Sequence, residues 1–310
     1  MPTSHTTQSQ DDSWTELEVA RVRGRSRLVT CRCVAPLKVF NPGHDADPCQ
    51  LVFSNYGGGL VQGDVVRVRL RCREGSSTTL ETQANTRVYR TDPGKECVQE
   101  VHGTLAAGAR AVVLPAPVVL HAGCRFRQHQ HWHVAKDATL ILSDIVHPGR
   151  IDSGELFDYD HYESRLRIHS PDGLILRDDF RLDGAGSNPT KTGVMGDFRL
   201  LANIYLVGAN LVANLERIEQ HLSFADAEDA TAGILASVNP HRDVCVIVRV
   251  LMRDHQQGQR LRDALDMLVD ELVSGVEPTV APQMAVDEAC SRGRCPSSTS
   301  AAPEDEPHWK

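Results

Sequence analysis

The sequence predicts a mainly β protein with a small helical part near its C-terminal end, and three segments support this prediction. Residues 66–72 alternate strictly between apolar side chains and arginine, which is the pattern of a half-buried strand. Residues 139–146 are apolar at most positions, as expected of a strand that is covered on both faces. Residues 258–274 instead place apolar side chains at helical spacing, which predicts an amphipathic helix.

Turn residues divide the rest of the chain into short segments. Residues 28–182 are mostly strand-like runs separated by turns, and a long loop at 183–196 marks a change of periodicity. Beyond this loop we expect a helix, a second helix, a strand and the helix already described, at 211–221, 225–237, 244–251 and 258–274. Asn239-Pro240 would end the second helix, and Gly275 is placed to cap the last one.

Most of the chain is expected to form one β-rich domain, residues 14–275, which is long enough to bury a sizeable core. Residues 1–13 are polar and lack the apolar segment of a secretory signal, so we expect a disordered N-terminus. Residues 276–310 are rich in proline, serine and acidic side chains and are expected to be a disordered tail. No run approaches the roughly 20 apolar residues that a membrane-spanning helix needs. We therefore expect a cytoplasmic protein without a membrane partner.

Charge and cysteine content limit the ligand classes. The net charge of -8 argues against a broad electrostatic grip on nucleic acid, which needs clustered lysine and arginine. The 9 cysteines are odd in number and irregularly spaced, which suits reduced thiols better than a disulfide framework. Cys31 and Cys33 would face the same way on a strand and could share a metal ion, although a plain buried pair is the favoured interpretation.

A glycine-rich loop at 57–63 ends at Asp64. A phosphate-binding loop would need a helix directly after it, with its amide groups aimed at the anion, but here a strand follows. We therefore expect its glycines, Gly58, Gly59 and Gly63 among them, to supply positive φ angles and close chain approach. A phosphate site is the less favoured alternative.

His129, His131 and His133 alternate along a predicted strand, so all three imidazoles lie on one face. Such a row could hold a borderline metal ion such as Ni²⁺ or Zn²⁺. Arg125 and Arg127 fall on the same face, however, and their fixed charge opposes cation binding. A solvated polar face beside a core face is therefore favoured over a metal site.

Asp144 lies inside the most apolar predicted strand, where an ionised carboxylate needs a partner or must be protonated. Arg150, after the turn Pro148-Gly149, is the nearest candidate in sequence, and a structural ion pair is the favoured interpretation. The functional alternative is that Asp144, Glu155 and Asp64 line a polar passage for a hydrated divalent cation. The residues alone do not choose between the two.

No arrangement of nucleophile and base supports catalysis. Gly-x-Ser-x-Gly and His-Glu-x-x-His do not occur, and the neighbours of Ser153 exclude a nucleophile elbow. The loop at 184–192 ends in Lys-Thr like a nucleotide-binding loop, but it lacks the glycine before the lysine and contains a proline. We expect no nucleotide hydrolysis and no enzymatic activity.

Several motifs, in order along the chain, resemble those of the urease accessory protein UreD family, also called UreH. Residues 58–64 match its Gly-Gly-x-x-x-Gly-Asp element, and residues 82–89 match Thr-Gln-x-x-Thr-Lys-x-Tyr with Arg87 in place of the lysine. Later matches are Pro-x-Pro, Phe-x-Gln, Gly-Arg and Gly-Glu-x-Phe, at 115–117, 126–128, 149–150 and 154–157. Asp144 stands where glutamate is common, and the histidine row is not part of the family pattern.

The resemblance implies strands wound into a helix-like, β-helical stack with a small C-terminal helical part. It also implies a non-catalytic scaffold that binds the urease apoenzyme and UreF, and through UreF the GTPase UreG. Nickel in transit would then pass through an internal channel, and no cofactor would be tightly bound. The alternative is a docking scaffold that assembles the activation complex without handling nickel itself.

The resemblance also suggests roles for particular residues. Four are expected to line the nickel passage: Asp64, Thr86, Asp144 and Glu155. Others are expected to brace the loops around it: Gly58, Gly59, Gly63, Gln83, Arg87, Tyr89 and Arg150.

Overall fold

The computed structural model describes residues 13–43, 46–184, 189–224 and 233–274. These residues lie within one compact unit, residues 1–276. Apart from Ser13, the segments predicted to be disordered lie outside the described residues. The proposed cap at Gly275 and most of the predicted helix 225–237 also lie outside them.

The described chain is built mainly from strands. In chain order they are β1 (Thr15–Val22), β2 (Arg25–Arg32), β3 (Leu37–Phe40), β4 (Cys49–Asn55), β5 (Gly59–Leu60), β6 (Val65–Cys72), β7 (Ser77–Thr82), β8 (Thr86–Val88), β9 (Cys97–Leu105), β10 (Arg110–Val113), β11 (Val118–Leu120), β12 (Arg125–Val134), β13 (Thr139–His147), β14 (His161–Ser170), β15 (Gly173–Asp183), β16 (Leu200–Val207), β17 (Ile234–His241) and β18 (Cys245–Met252). The helices are α1 (Ala209–Val212), α2 (Leu215–Leu222) and α3 (His255–Ser274).

These strands form two sheets. Sheet A has the order β15-β14-β12-β9-β6-β1-β2, and sheet B has the order β17-β18-β16-β13-β10-β7-β4-β3, with the short strands β5, β8 and β11 joined to β13. The central strands of each sheet are parallel, because the chain passes from one sheet to the other and returns one level further on. The result is a β-solenoid of about 4 turns, which confirms the predicted helix-like stack.

The main core lies between the two sheets. Alternate side chains of β6 and β12 face inward, and Leu70, Phe126 and Trp132 are each 0% exposed. They meet apolar side chains of sheet B such as Leu80 and Leu142 in one continuous cluster. Burying a large apolar side chain contributes about 1.5–3 kcal/mol, so this interface is the main source of stability.

The strand β13 is buried on both faces, as its apolar sequence predicts. Leu140 and Leu142 point into the main core, whereas Ile141 and Ile145 belong to a second core beneath the helices. The second core also contains the apolar stripe of α3, whose side chains Leu261, Leu265 and Leu268 are buried. The helix α3 contains the predicted segment 258–274 and begins a few residues earlier, at His255.

The predicted helix at 225–237 is wrong where the structure describes it. Residues from Ile234 onward form β17, which pairs antiparallel with the edge of β18. Ile234, Ala236 and Val238 contact the second core at every other position, and Leu235 between them is exposed. This spacing has the period of a strand, and pairing with β18 satisfies the backbone hydrogen bonds.

The predicted helix at 211–221 is two short helices, α1 and α2, separated by a turn at Ala213 and Asn214. The predicted strand at 244–251 is β18. Within the described residues, no helix has the length and apolar character needed to cross a membrane. The cytoplasmic location stays a prediction.

Candidate functional site

A cavity of about 180 Å³ lies between sheet A and sheet B. Part of its lining is exposed, at Gly58 of the glycine-rich loop and at Gln83 and Asn85 of the turn between β7 and β8. The remainder includes fully buried side chains such as Trp132 and Leu142. The cavity therefore connects the surface beside the glycine-rich loop with the interior of the solenoid.

Polar groups interrupt the mostly apolar lining of the cavity. Gln128 and Gln130 reach it from β12 of sheet A, and Thr86 and Asp144 reach it from β8 and β13 on the opposite side. Asp144 is the one ionisable side chain among the described residues that line the cavity. Two predicted passage residues, Thr86 and Asp144, thus meet at one site, together with Gly58 and Gln83.

Asn55 lines the cavity near its exposed part. Its Oδ1 atom is buried and accepts no hydrogen bond from any described residue. A buried amide oxygen without a partner is costly unless water or another polar group reaches it. Asn55 therefore adds an unsatisfied amide oxygen to the polar residues at the wall of the cavity.

The carboxylate of Asp144 is held by hydroxyl groups. Ser164 Oγ donates to Oδ2 at 2.8 Å, and Tyr162 Oη donates to the same atom at 3.4 Å. The side chain of Gln128 also hydrogen-bonds to this carboxyl. Burial raises the pKa of Asp144, and these hydrogen bonds offset only part of that rise.

The predicted ion pair between Asp144 and Arg150 is absent, which corrects the structural interpretation of Asp144. Arg150 instead pairs with Glu155, and its Nε donates to Glu155 Oε2 at 3.0 Å. The hydrogen bond from Arg150 lowers the pKa of Glu155 to about 2. The nearest cation in sequence is therefore engaged by another carboxylate, and Asp144 relies on neutral donors from β12 and β14.

Asp64 and Glu155 lie outside the cavity lining, unlike the other two predicted passage residues. Asp64 Oδ2 accepts a hydrogen bond from the backbone N–H of Val61 at 2.8 Å and closes the turn before β6. Glu155 accepts from the backbone N–H of Ala122 at 3.3 Å in addition to its pairing with Arg150. Both carboxylates hold loops in the structure.

The glycine-rich loop has the backbone features that its sequence predicts. Gly57, Gly58 and Gly63 have φ angles of 71°, 73° and 84°, a region that favours glycine. Gly59 is extended, but a Cβ atom there would lie 2.5 Å from the carbonyl oxygen of Arg87 and 2.8 Å from the ring of Tyr89. The strand β8 and the following Tyr89 therefore pack directly against the loop.

His121 is a residue that the sequence analysis missed. It is only 9% exposed, and its Nε2 atom has no hydrogen-bond partner among the described residues. The ring of Tyr89 packs edge-on against it at 5.1 Å, and burial and then Arg150 lower its pKa. The predicted residues Arg87, Tyr89, Arg150 and Glu155 thus gather around one buried histidine. Its only signal in the sequence is a histidine that directly follows an apolar strand.

A second group of missed residues extends the polar interior beyond Asp144. Asp178 Oδ2 accepts hydrogen bonds from Tyr205 Oη and from Arg249 Nη2, each at 2.7 Å. Arg249 also donates to Asn203, which faces Asp144 across the β13–β16 pairing. The charge of Asp178 contributes to the raised pKa of Asp144. The signal for this group in the sequence is Arg249, the one charged residue in the apolar strand β18.

A metal site at the histidine row, His129, His131 and His133, was the less favoured alternative. Its members lie on the outer face of β12 as expected, with Phe126 and Trp132 on the core face. His129 Nε2 contacts Glu163 Oε1 at 3.0 Å, whereas His131 and His133 lie beside other histidine rings. Within the described ranges, no group of three or more histidine, cysteine or acidic side chains could hold a metal ion. The solvated polar face is the better description.

Comparison of the sequence with known proteins points to one family. The family model described as "UreD urease accessory protein" matches residues 12–284. A urease accessory protein UreD of Cytophaga hutchinsonii is 35% identical over 219 residues, which cover 71% of this chain and 76% of that protein. The UreD protein of Anaeromyxobacter sp. is 32% identical over 263 residues, covering 84% of this chain and 86% of that protein. That of Sorangium cellulosum is 33% identical over 259 residues, covering 83% of this chain and 80% of that protein.

Proposed function

Because the chain belongs to the UreD family of urease accessory proteins, we propose that it is a non-catalytic conduit through which nickel reaches the urease apoenzyme. Family membership supports a role in urease maturation. The observation that favours the conduit is the cavity between the sheets, with the buried carboxyl of Asp144 in its wall.

The chemistry of the lining suits an ion that must enter and leave. Conduction requires sites that bind well enough to admit the ion and weakly enough to release it. Gln128, Gln130 and Asp144 bring side-chain oxygen atoms to the lining, and Gln130 Oε1 also accepts a hydrogen bond from Trp132 Nε1. Imidazole or thiolate would hold nickel more firmly than oxygen ligands. The lining therefore favours transit over storage.

The polar residues beyond the cavity suggest the direction of the path. Asp178, with Tyr205 and Arg249, continues the polar interior from Asp144 toward β15 and β18. The unpartnered Oδ1 of Asn55 lies at the other side, near the glycine-rich loop. We infer that the ion passes between the Asn55 region and Asp144, because the fixed charge of Arg249, which pairs with Asp178, opposes a cation beyond Asp144.

The cavity offers little support for catalysis. Ser54 and Ser143 are its serines, and the described lining residues include no histidine, lysine or cysteine that could act as a base or a stronger nucleophile. We propose that the partners are the urease apoenzyme and UreF, with UreG bound through UreF.

Substitution of Asp144 tests the conduit. Asp144→Asn keeps the shape of the side chain but replaces the ionisable carboxyl with a neutral amide, so we expect normal assembly with apo-urease, UreF and UreG and a several-fold lower nickel content of urease. Asp172→Asn is the matched control, because Asp172 is exposed in the turn between β14 and β15. Assembly is measured by size-exclusion chromatography and nickel by metal analysis of the purified urease.

The same experiment distinguishes the docking-scaffold alternative. If Asp144→Asn and a larger substitution, Asp144→Leu, both assemble normally and both leave the nickel content of urease unchanged, the chain does not conduct nickel through this cavity. The chain would then act by docking its partners alone.

A further inference from the structure

Cys31 and Cys33 form an exposed pair of thiols at one edge of sheet A. This corrects the buried pair that the sequence analysis favoured. Cys31 is in β2, the last strand of the sheet, and Cys33 directly follows that strand. An edge strand has a neighbour on one side only, and both side chains are exposed. Their Sγ atoms lie 3.7 Å apart.

Pairing with β1 fixes the backbone on which the two thiols lie. Cys31 is opposite Leu17 in the antiparallel β1–β2 register, and Leu17 is fully buried. After Cys33, the backbone N–H of Val34 donates a hydrogen bond to Thr15 Oγ1 at 3.0 Å. The segment is therefore anchored on both sides of the pair, which reduces the ordering cost of binding a ligand with both sulfur atoms.

The separation of the sulfur atoms matches one coordination geometry. Two thiolates bound to a tetrahedral metal ion at about 2.3 Å are about 3.8 Å apart. In a square-planar site with adjacent thiolates at the same bond length, the separation would be about 3.3 Å. The observed 3.7 Å is a hydrogen-bonding contact between the two thiols, and it is also close to the separation in the tetrahedral arrangement.

We propose that Cys31 and Cys33 form a two-thiolate site for a thiophilic divalent cation that prefers tetrahedral coordination, such as Zn²⁺ or Cd²⁺. Each thiol loses its proton to solvent as its sulfur binds, so two protons are released per ion. Solvent occupies the remaining coordination positions, because no third histidine, cysteine or acidic side chain among the described residues completes the group.

This site is independent of the proposed nickel conduit. Neither cysteine lines the cavity, and every other cysteine in the described part of the chain is buried. Failure of the conduit test would therefore leave the two-thiolate site unaffected, and the reverse also holds.

Titration with Cd²⁺ under reducing conditions tests the site. For this experiment, Cys290→Ser and Cys295→Ser are introduced into the full-length chain. These two cysteines lie outside the described residues and would themselves bind the ion. We expect one Cd²⁺ per chain, seen as the ultraviolet charge-transfer absorption of cadmium thiolate. Cys31→Ser and Cys33→Ser should each weaken binding by at least about tenfold.

Cys245→Ala in the same background is the matched control, because it removes a thiol that is buried in β18. It should leave the absorption and the affinity unchanged. A second measurement uses Zn²⁺ alone and follows alkylation of the cysteines by N-ethylmaleimide with mass spectrometry. Zn²⁺ should slow alkylation of Cys31 and Cys33 together, by about tenfold or more at saturation.

Two outcomes would overturn the proposal. One is a cadmium thiolate absorption of equal intensity in the double variant Cys31→Ser/Cys33→Ser. The other is alkylation of both cysteines at the same rate with and without Zn²⁺. Circular dichroism of each variant establishes that the fold is retained, which is expected because both positions are exposed.

Discussion

The indole of Trp132 occupies the space that a side chain at Gly103 would need. The two residues are opposite each other in the parallel β9–β12 register, and a Cβ atom on Gly103 would lie 2.0 Å from Cε3 of Trp132. Trp132 is fully buried and forms part of the cavity wall. The absence of a side chain at Gly103 therefore determines how one wall of the cavity is shaped.

Gly103→Ala is expected to destabilise the protein by about 1–3 kcal/mol, because the added methyl group overpacks the core. The emission of Trp132 should change at the same time, since the ring must move toward the cavity. Denaturant unfolding and tryptophan fluorescence measure the two effects. Trp132→Phe in the same chain should recover part of the loss, whereas strictly additive costs in a double-mutant cycle would contradict direct contact.

Asp144→Asn is expected to raise stability at neutral pH by about 1 kcal/mol, or roughly 2–4 °C in the unfolding midpoint. Burial raises the pKa of this carboxyl above its usual 3.8, so the native state binds more protons than the unfolded state just above that value. The stability of the parent protein therefore falls as pH rises through this range. The advantage of the variant should disappear as pH is lowered toward 3.8. A gain that is independent of pH would show that charge is not its cause.

Arg150→Met is expected to lower the midpoint of thermal unfolding slightly at pH 7. The hydrogen bond from Arg150 depresses the pKa of Glu155 from 4.5 to about 2, so this contribution is present above pH 4.5 and is lost as pH falls toward 2. The parent and variant should therefore converge in acid. Lys136→Met is the control, because the pair of Lys136 with Asp172 is largely exposed and should contribute less.

Gly59→Ala is expected to cost about 1–3 kcal/mol, because its methyl group would meet the carbonyl oxygen of Arg87 and the ring of Tyr89. Gly57→Asn is the control. Gly57 has a positive φ angle, which asparagine tolerates, and a Cβ atom there would meet nothing within 4 Å. Chemical unfolding compares the two. Equal losses would show that backbone conformation alone, and not contact with β8, decides the effect.

Periodicity in the sequence predicts those strands and the helix that bury one regular face. The alternation at 66–72 corresponds to β6, and the stripe of Leu261, Leu265 and Leu268 corresponds to the buried face of α3. The helix prediction fails at β17, where Ile234, Ala236 and Val238 alternate toward the second core. Only the edge of β18 makes that segment a strand, and this pairing is a tertiary contact that local spacing does not contain.

The site was only partly predictable for a related reason. Positive φ angles and close approach in the glycine-rich loop follow from local sequence, and both are found. The partners of Asp144 do not follow from local sequence. The solenoid brings Ser164 of β14 into hydrogen-bonding contact with the Asp144 carboxylate of β13, while Arg150 pairs with Glu155. Asp178 and Arg249 meet from strands that are far apart in the chain, so neither identifies the other in the sequence.

The double burial of β13 has a consequence for unfolding cooperativity. Leu140 and Leu142 stabilise the solenoid, while Ile141 and Ile145 on the opposite face stabilise the layer that contains α3. A local opening of either core would expose one face of the same strand and weaken the other core. The two layers should therefore lose their structure in a single transition, even though their side chains form separate clusters.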